Sequence, residues 1–143
     1  WLRSRNVRFV SRSTREAVTA DTSVLLVDTL GELLSFYAAA NVAFVGGSLV
    51  PIGGHNLLEP AALHRPIIVG PYTFNAADIA QNFLACGAAV QVESATELGA
   101  AVLDLLTNAA RRDQMIARAY EILQNNRGTL ARLLALIERL LPR

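Results

Sequence analysis

The chain has 143 residues, with 13 basic and 12 acidic side chains and a net charge of +1. At 52% hydrophobic and 17% charged it is no disordered tail, and its length suits one domain burying roughly 68–70% of its unfolded surface. One cysteine excludes an internal disulfide, two histidines exclude a Cys/His zinc box, and no apolar run approaches the ~20 residues of a membrane span.

Short apolar runs alternate with helical patterns along the chain. Val7–Val10 and Val24–Val27 read as strands. Gly31–Ala40 reads as a helix with Leu33, Leu34 and Tyr37 on one face. Then follow a strand at Val42–Val45, a glycine loop, a helix at Asn56–Leu63, a strand at Pro66–Val69, a helix at Ala76–Cys86 and a strand at Ala88–Val92. Ser94 and Glu97 form a capping-box pair that opens a helix through Leu106. Two amphipathic helices, about Arg111–Gln124 and Thr129–Leu140, are separated by Asn125, Asn126 and Gly128. The strands are continuous Val/Ile/Leu/Ala runs without polar alternation, as when helices cover both faces of a sheet. The order predicts one Rossmann-like α/β domain over residues 1–143, with a doubly wound, mostly parallel sheet.

Charge is unevenly placed. All thirteen basic residues are arginine. Residues 1–15 hold five arginines and no acid, residues 16–110 hold one arginine against nine acids, and residues 111–143 hold seven against three. Solvated helix faces account for this, and a basic rim toward an anionic membrane surface or ligand is the sharper alternative. Nucleic acid is not an expected partner, because the basic blocks lack interleaved aromatics. Without lysine there is no Walker P-loop.

In parallel α/β sheets ligands sit beyond the carboxyl ends of the strands. Two loops stand there. Val45–Pro60 contains two glycine pairs around Ser48 and leads into a helix near Asn56. Glycines expose N–H groups, and a helix start adds partial positive charge, which together suit a phosphate. Glu59 either complements the helix dipole or accepts hydrogen bonds from a ribose diol, and the spacing leaves both readings open. In the second loop, Val27–Leu33, Asp28 or Thr29 reads as a helix N-cap and Glu32 as a first-turn acid. Alternatively Gly31 frees backbone to line a base-binding slot.

Other motifs fail at single letters. Residues 46–51 do not spell G-x-G-x-x-G, and Val50 replaces the last glycine of a G-x-S-x-G elbow. His55 and His64 lie nine apart, wrong for a metal pair on one helical face. Cys86 reads as a buried structural thiol.

The strings D-T-L-G-E-L at 28–33, G-G-S-L-V-P-I-G-G-H-N-L-L-E-P at 46–60 and G-P-Y-T-F-N at 70–75 resemble the donor-binding half of the 3-deoxy-D-manno-octulosonate (Kdo) transferases. The resemblance is strong over about residues 20–95. It implies the C-terminal domain of a two-domain GT-B enzyme, an inverting glycosyltransferase that moves Kdo from CMP-Kdo to a lipid A precursor in lipopolysaccharide core assembly. By it, Leu30, Gly31 and Glu32 match the turn that holds the nucleotide. Asn56, Leu57, Leu58 and Glu59 match the helix start on the ribose and phosphate side. Gly46, Gly47 and Ser48 lie beside the donor's phosphate or sugar, with Gly53, Gly54 and His55 completing the loop. No metal site is visible in the sequence, backbone donors would make one unnecessary, and no cofactor beyond the donor is expected. The resemblance also places the catalytic base, the acceptor site and a membrane anchor in an N-terminal domain, at the cytoplasmic face of the bacterial inner membrane. The present chain, opening at Trp1, is then a soluble piece of a longer protein and inactive alone. A Pro-Arg nucleotide contact would precede it, and no such pair occurs in residues 1–20. Two other readings are a UDP-sugar transferase or epimerase domain of the same fold, and a non-catalytic α/β binding module.

Overall fold

The structure, a computed structural model, describes residues 1–125 together with Leu134 and Ile137. The chain forms two compact units, Trp1–Phe36 and Tyr37–Arg143.

In the first unit, strand β1 (Phe9–Ser11) pairs in parallel with β2 (Val24–Leu26), Val10 opposite Leu25. The strand expected from Val7 begins later because the Val7 N–H turns back to the Leu2 carbonyl, closing a short 3-10 turn over Arg3–Arg5. No residue of this unit is fully buried. Polar contacts link its segments: Arg8 pairs with Asp21 at the surface, and the Ser23 N–H donates to the Arg8 carbonyl.

Helix α1 (Leu33–Ala39) runs from the first unit into the second. Of its expected apolar face Tyr37 is half-buried, whereas Leu33 and Leu34 are exposed.

The second unit is an open parallel sheet in the order β3 (Ala43–Phe44), β4 (Ile67–Val69), β5 (Val90–Gln91). Successive residues of a strand point to opposite faces, and the central β4 is inaccessible on both. Ile67 and Val69 join one core cluster with Val45, Leu57, Ala61, Phe83 and Ala119. Ile68 joins another with Val92, Leu105 and Met115. Helices α2 (Leu58–Ala62) and α3 (Ala77–Ala85) thus pack on one face and α4 (Ala95–Thr107) on the other, with α5 (Ala109–Asn125) contributing to both. This is the doubly wound arrangement, and it explains why the strand sequences carry no polar alternation.

Several boundaries move for identifiable reasons. The helix expected from Asn56 starts at Leu58, because the Asn56 side chain accepts the Leu58 N–H at 2.9 Å in an Asx turn. It ends where His64 adopts φ +56°, the left-handed conformation usual for glycine after a helix. The strand expected at Ala88–Val92 shortens to Val90–Gln91, since the Ala88 N–H returns to the Phe83 carbonyl at 2.7 Å. Ser94 caps α4 by accepting the Glu97 N–H, while Glu97 reaches back one residue further, to the Glu93 N–H. Asn108 caps α5 through the Arg111 N–H, so that helix begins two residues before the expected Arg111. Cys86 is exposed and not buried as expected; it follows the last residue of α3 and faces solvent. The helix expected over Thr129–Leu140, and the break at Asn126 and Gly128, lie outside the described residues except for Leu134 and Ile137.

Candidate functional site

The glycine loop leaves the carboxyl end of β3 and folds back on itself. The Gly54 N–H donates to the Gly47 carbonyl at 3.0 Å and the His55 N–H to the Gly46 carbonyl at 3.2 Å. Gly53 (φ +107°) and Gly54 (φ +72°) make the reversal in backbone conformations that side chains rarely allow. Two of the loop's N–H groups, those of Gly54 and His55, are therefore used inside the loop. Those of Gly46, Gly47 and Gly53 meet no protein acceptor among the described residues.

Ser48 is fully buried. Its hydroxyl donates to the Val45 carbonyl at 2.5 Å and accepts the Gly70 N–H at 2.7 Å. The hydroxyl proton is thereby committed inside the fold, and the Ser48 side chain ties the end of β4 to the turn after β3. The Ser48 carbonyl accepts the Tyr72 N–H at 2.9 Å, extending the seam.

The other half of the seam is Asn75, which sequence reasoning placed in a motif without a role. Its backbone N–H donates to the Gly53 carbonyl at 3.1 Å, and its side-chain amide lies 3.2 Å from both the Ile52 and Gly54 carbonyls. The two loops at the carboxyl edges of β3 and β4 thus form one rim. Removing the amide in Asn75→Ala should cost about 1–2 kcal/mol, at roughly 1 kcal/mol per net hydrogen bond. Asn75→Asp should do no better, because a carboxylate has no proton for those carbonyls at neutral pH. Thermal denaturation of the three proteins checks this, and an Asp variant as stable as the parent would remove the clamp.

Glu59 sits half-buried in the first turn of α2, and its carboxylate accepts from the Asn56 amide at 3.2 Å. The dipole explanation for Glu59 weakens here, since α2 has only five residues and a single turn carries little macrodipole. The charge is felt by a neighbour: burial first, and then the Glu59 carboxylate, push the Tyr37 phenol above its usual range. His55 and Asn56 are exposed on the rim, Leu57 is buried in the core and Leu58 is half-buried against it.

In the first unit, the expected N-cap at Asp28 or Thr29 is not made. Asp28 instead accepts from the Ser13 N–H at 2.9 Å and the Ser13 hydroxyl at 2.6 Å, bridging the segments after β1 and β2. The Thr29 hydroxyl donates to Glu32 at 2.5 Å, and Arg12 pairs with the same carboxylate at 2.8 Å. Leu30 is entirely exposed, and Gly31 (φ +82°) has open space around it. The Thr29 hydroxyl, then Arg12, hold the Glu32 carboxyl below its ordinary range. Because the folded state favours the ionised form, this contribution is present above the unfolded-state value and is lost as pH falls through the lower folded one. Carbon-13 titration should place Glu32 below an ordinary glutamate, and Arg12→Gln should raise its midpoint. An unmoved midpoint in the variant would show that Arg12 has no hold on it.

Among the described residues no three His, Cys, Asp or Glu side chains converge as a metal cluster would need, and no helix is long and apolar enough to cross a membrane.

An open, all-parallel α/β sheet with a glycine-rich rim at its carboxyl edge belongs to the Rossmann-like class whose ligands bind at that edge. No family model matches the chain. It is 41% identical over 143 residues to a 3-deoxy-D-manno-octulosonic acid transferase of Haemophilus influenzae, covering 99% of this chain and 34% of that protein. It is 50% identical over 99 residues to the Bordetella pertussis transferase of the same name, covering 68% of this chain and 23% of that one. The chain thus spans at most about a third of these curated relatives. Its fold matches the crystal structure of the C-terminal CMP-Kdo binding domain of WaaA from Acinetobacter baumannii, with a TM-score of 0.83 and 37% identity over 86% of this chain and 64% of that one. By sequence and by fold, the chain is similar to the Kdo transferases, which are glycosyltransferases, and its α/β sheet matches a C-terminal GT-B domain.

Proposed function

We propose that this chain is the CMP-Kdo-binding part of an inverting glycosyltransferase that adds Kdo to a lipid A precursor in lipopolysaccharide core assembly. The match to a CMP-Kdo binding domain, at 37% identity and a TM-score of 0.83, carries the reading. The rim supports it chemically. In a direct displacement the acceptor hydroxyl attacks the anomeric carbon as CMP departs, so negative charge grows on the leaving phosphate. Donors fixed in advance along Gly46, Gly47 and Gly53 would bind that charge most strongly in the transition state. Glu59 is assigned to the ribose hydroxyls, and Leu30, Gly31 and Glu32 to the turn that holds the nucleotide. The general base and the acceptor site belong to the N-terminal part of such an enzyme, which works at the cytoplasmic face of the inner membrane. The scheme uses no cofactor beyond the donor itself.

Saturation-transfer NMR with CMP, UMP and AMP tests the donor assignment. Saturation of CMP alone is the expected result. Preference for UMP would move the chain to a UDP-sugar enzyme of the same fold. Binding of none of the three would leave a non-catalytic module.

A further inference from the structure

Helix α5 opens against its own electrostatics. Its first turn carries Arg111 and Arg112 and no acid, at the helix end where negative charge is favoured. Arg111, Gln114 and Arg118 follow at spacings of three and four, which sets them on one face. Together with Gly87 and Val90 they line a cavity of about 190 Å³. Gly87 adopts φ +65°, and a Cβ there would lie 2.5 Å from the Arg118 Nη1, so the guanidinium rests over a residue with no side chain. Arg111 is held by Asp104 at 2.5 Å, whereas the exposed Arg118 has no acidic partner among the described residues. The cavity lies at the amino end of β5. In a parallel sheet that is the edge opposite the glycine rim.

Size narrows the ligand. A water occupies about 30 Å³ of liquid, so the cavity admits a tetrahedral oxyanion with a few waters. It is smaller than the ~300 Å³ at which sites for nucleotide-sized ligands begin. The planar guanidinium fork matches two oxygens of a phosphate at once.

We propose that this cleft binds a phosphate group, with Arg118 as the cation that has no acidic partner among the described residues, Arg111 oriented by Asp104, and the Gln114 amide as a neutral donor. Such a group reaches the cleft either as inorganic phosphate or on a phospholipid headgroup. The site is independent of the donor assignment above, because it shares no residue with the rim.

The test uses the full 143-residue chain, nitrogen-15 labelled and titrated with inorganic phosphate at constant ionic strength. Saturable shifts are expected at the Gly87 and Val90 amides and at the Arg118 side-chain N–H. Arg118→Gln, at an exposed position, should weaken binding on the order of tenfold through loss of charge-assisted hydrogen bonds. Arg8→Gln, in the other unit, should leave it unchanged. A second arm measures co-sedimentation with phosphatidylcholine vesicles with and without phosphatidic acid. Binding to the anionic vesicles that is lost in Arg118→Gln identifies a headgroup, and phosphate shifts without it identify the free ion. The proposal is overturned if phosphate produces no saturable shift at Gly87 and Val90 and vesicle binding is indifferent to Arg118. Equal shifts at arginines throughout the chain would overturn it too.

Discussion

Glu59→Gln should lower CMP affinity on the order of 10–100-fold, the loss expected when charge-assisted hydrogen bonds of roughly 1.5–3 kcal/mol are removed. The carboxylate is the negative group at the start of α2, half-buried and steadied by the Asn56 amide. A ribose diol offers two donors, which a carboxylate accepts and a carboxamide only partly satisfies. The parent should therefore prefer CMP over its 2′-deoxy analogue, and the variant should largely lose that preference. Titration calorimetry on both proteins with both nucleotides measures this. As a first-turn acid only, Glu59 would be worth about 0.3–1 kcal/mol of stability and nothing to the nucleotide. Equal CMP affinity in parent and variant would establish that lesser role. Tyr37 reports whether the neighbourhood is intact: with the Glu59 charge gone, its phenol should titrate lower than in the parent.

Gly70→Ala should be the most damaging single methyl in the second unit. A Cβ at Gly70 would stand 2.2 Å from the Ser48 carbonyl oxygen, 2.4 Å from its carbon and 2.6 Å from the Leu49 nitrogen. All three are backbone atoms, and no rotamer change relieves them. Accommodation means parting the end of β4 from the turn after β3, which breaks the Gly70–Ser48 and Tyr72–Ser48 hydrogen bonds together. Overpacking of this kind costs about 3 kcal/mol. For a chain of this size that lowers the melting temperature by roughly 10 °C. Gly99→Ala is the contrasting control. Gly99 lies inside α4 with nothing within 4 Å of a new Cβ, so alanine there should stabilise by about 0.5–1 kcal/mol. A Gly70→Ala protein melting within about 2 °C of the parent would mean that the seam yields far more easily than its backbone contacts imply.

What could be read from the sequence was local or periodic. The unbroken Ile67–Val69 run already implied a strand covered on both faces, and both core clusters bear that out. Ser94 and Glu97 are three residues apart, so their cap was legible from spacing. The position of the glycine loop after a strand pointed to the carboxyl edge of the sheet. The atoms that make the rim rigid were not legible, because their partners are distant in the chain. Ser48 meets Gly70 across 22 residues, and Asn75 meets Ile52 and Gly54 across 23 and 21. Nothing in a serine between glycine pairs says whether its hydroxyl faces a ligand or a neighbouring strand. Asp28 read as a cap for the same reason. The helix it was expected to cap starts only at Leu33, and its actual partner, Ser13, is 15 residues upstream. Periodicity and capping chemistry act within a few residues and so determined the elements and their order. Hydrogen bonds between loops depend on how the sheet brings those elements together, and only the tertiary structure decided which polar groups were already satisfied within the protein.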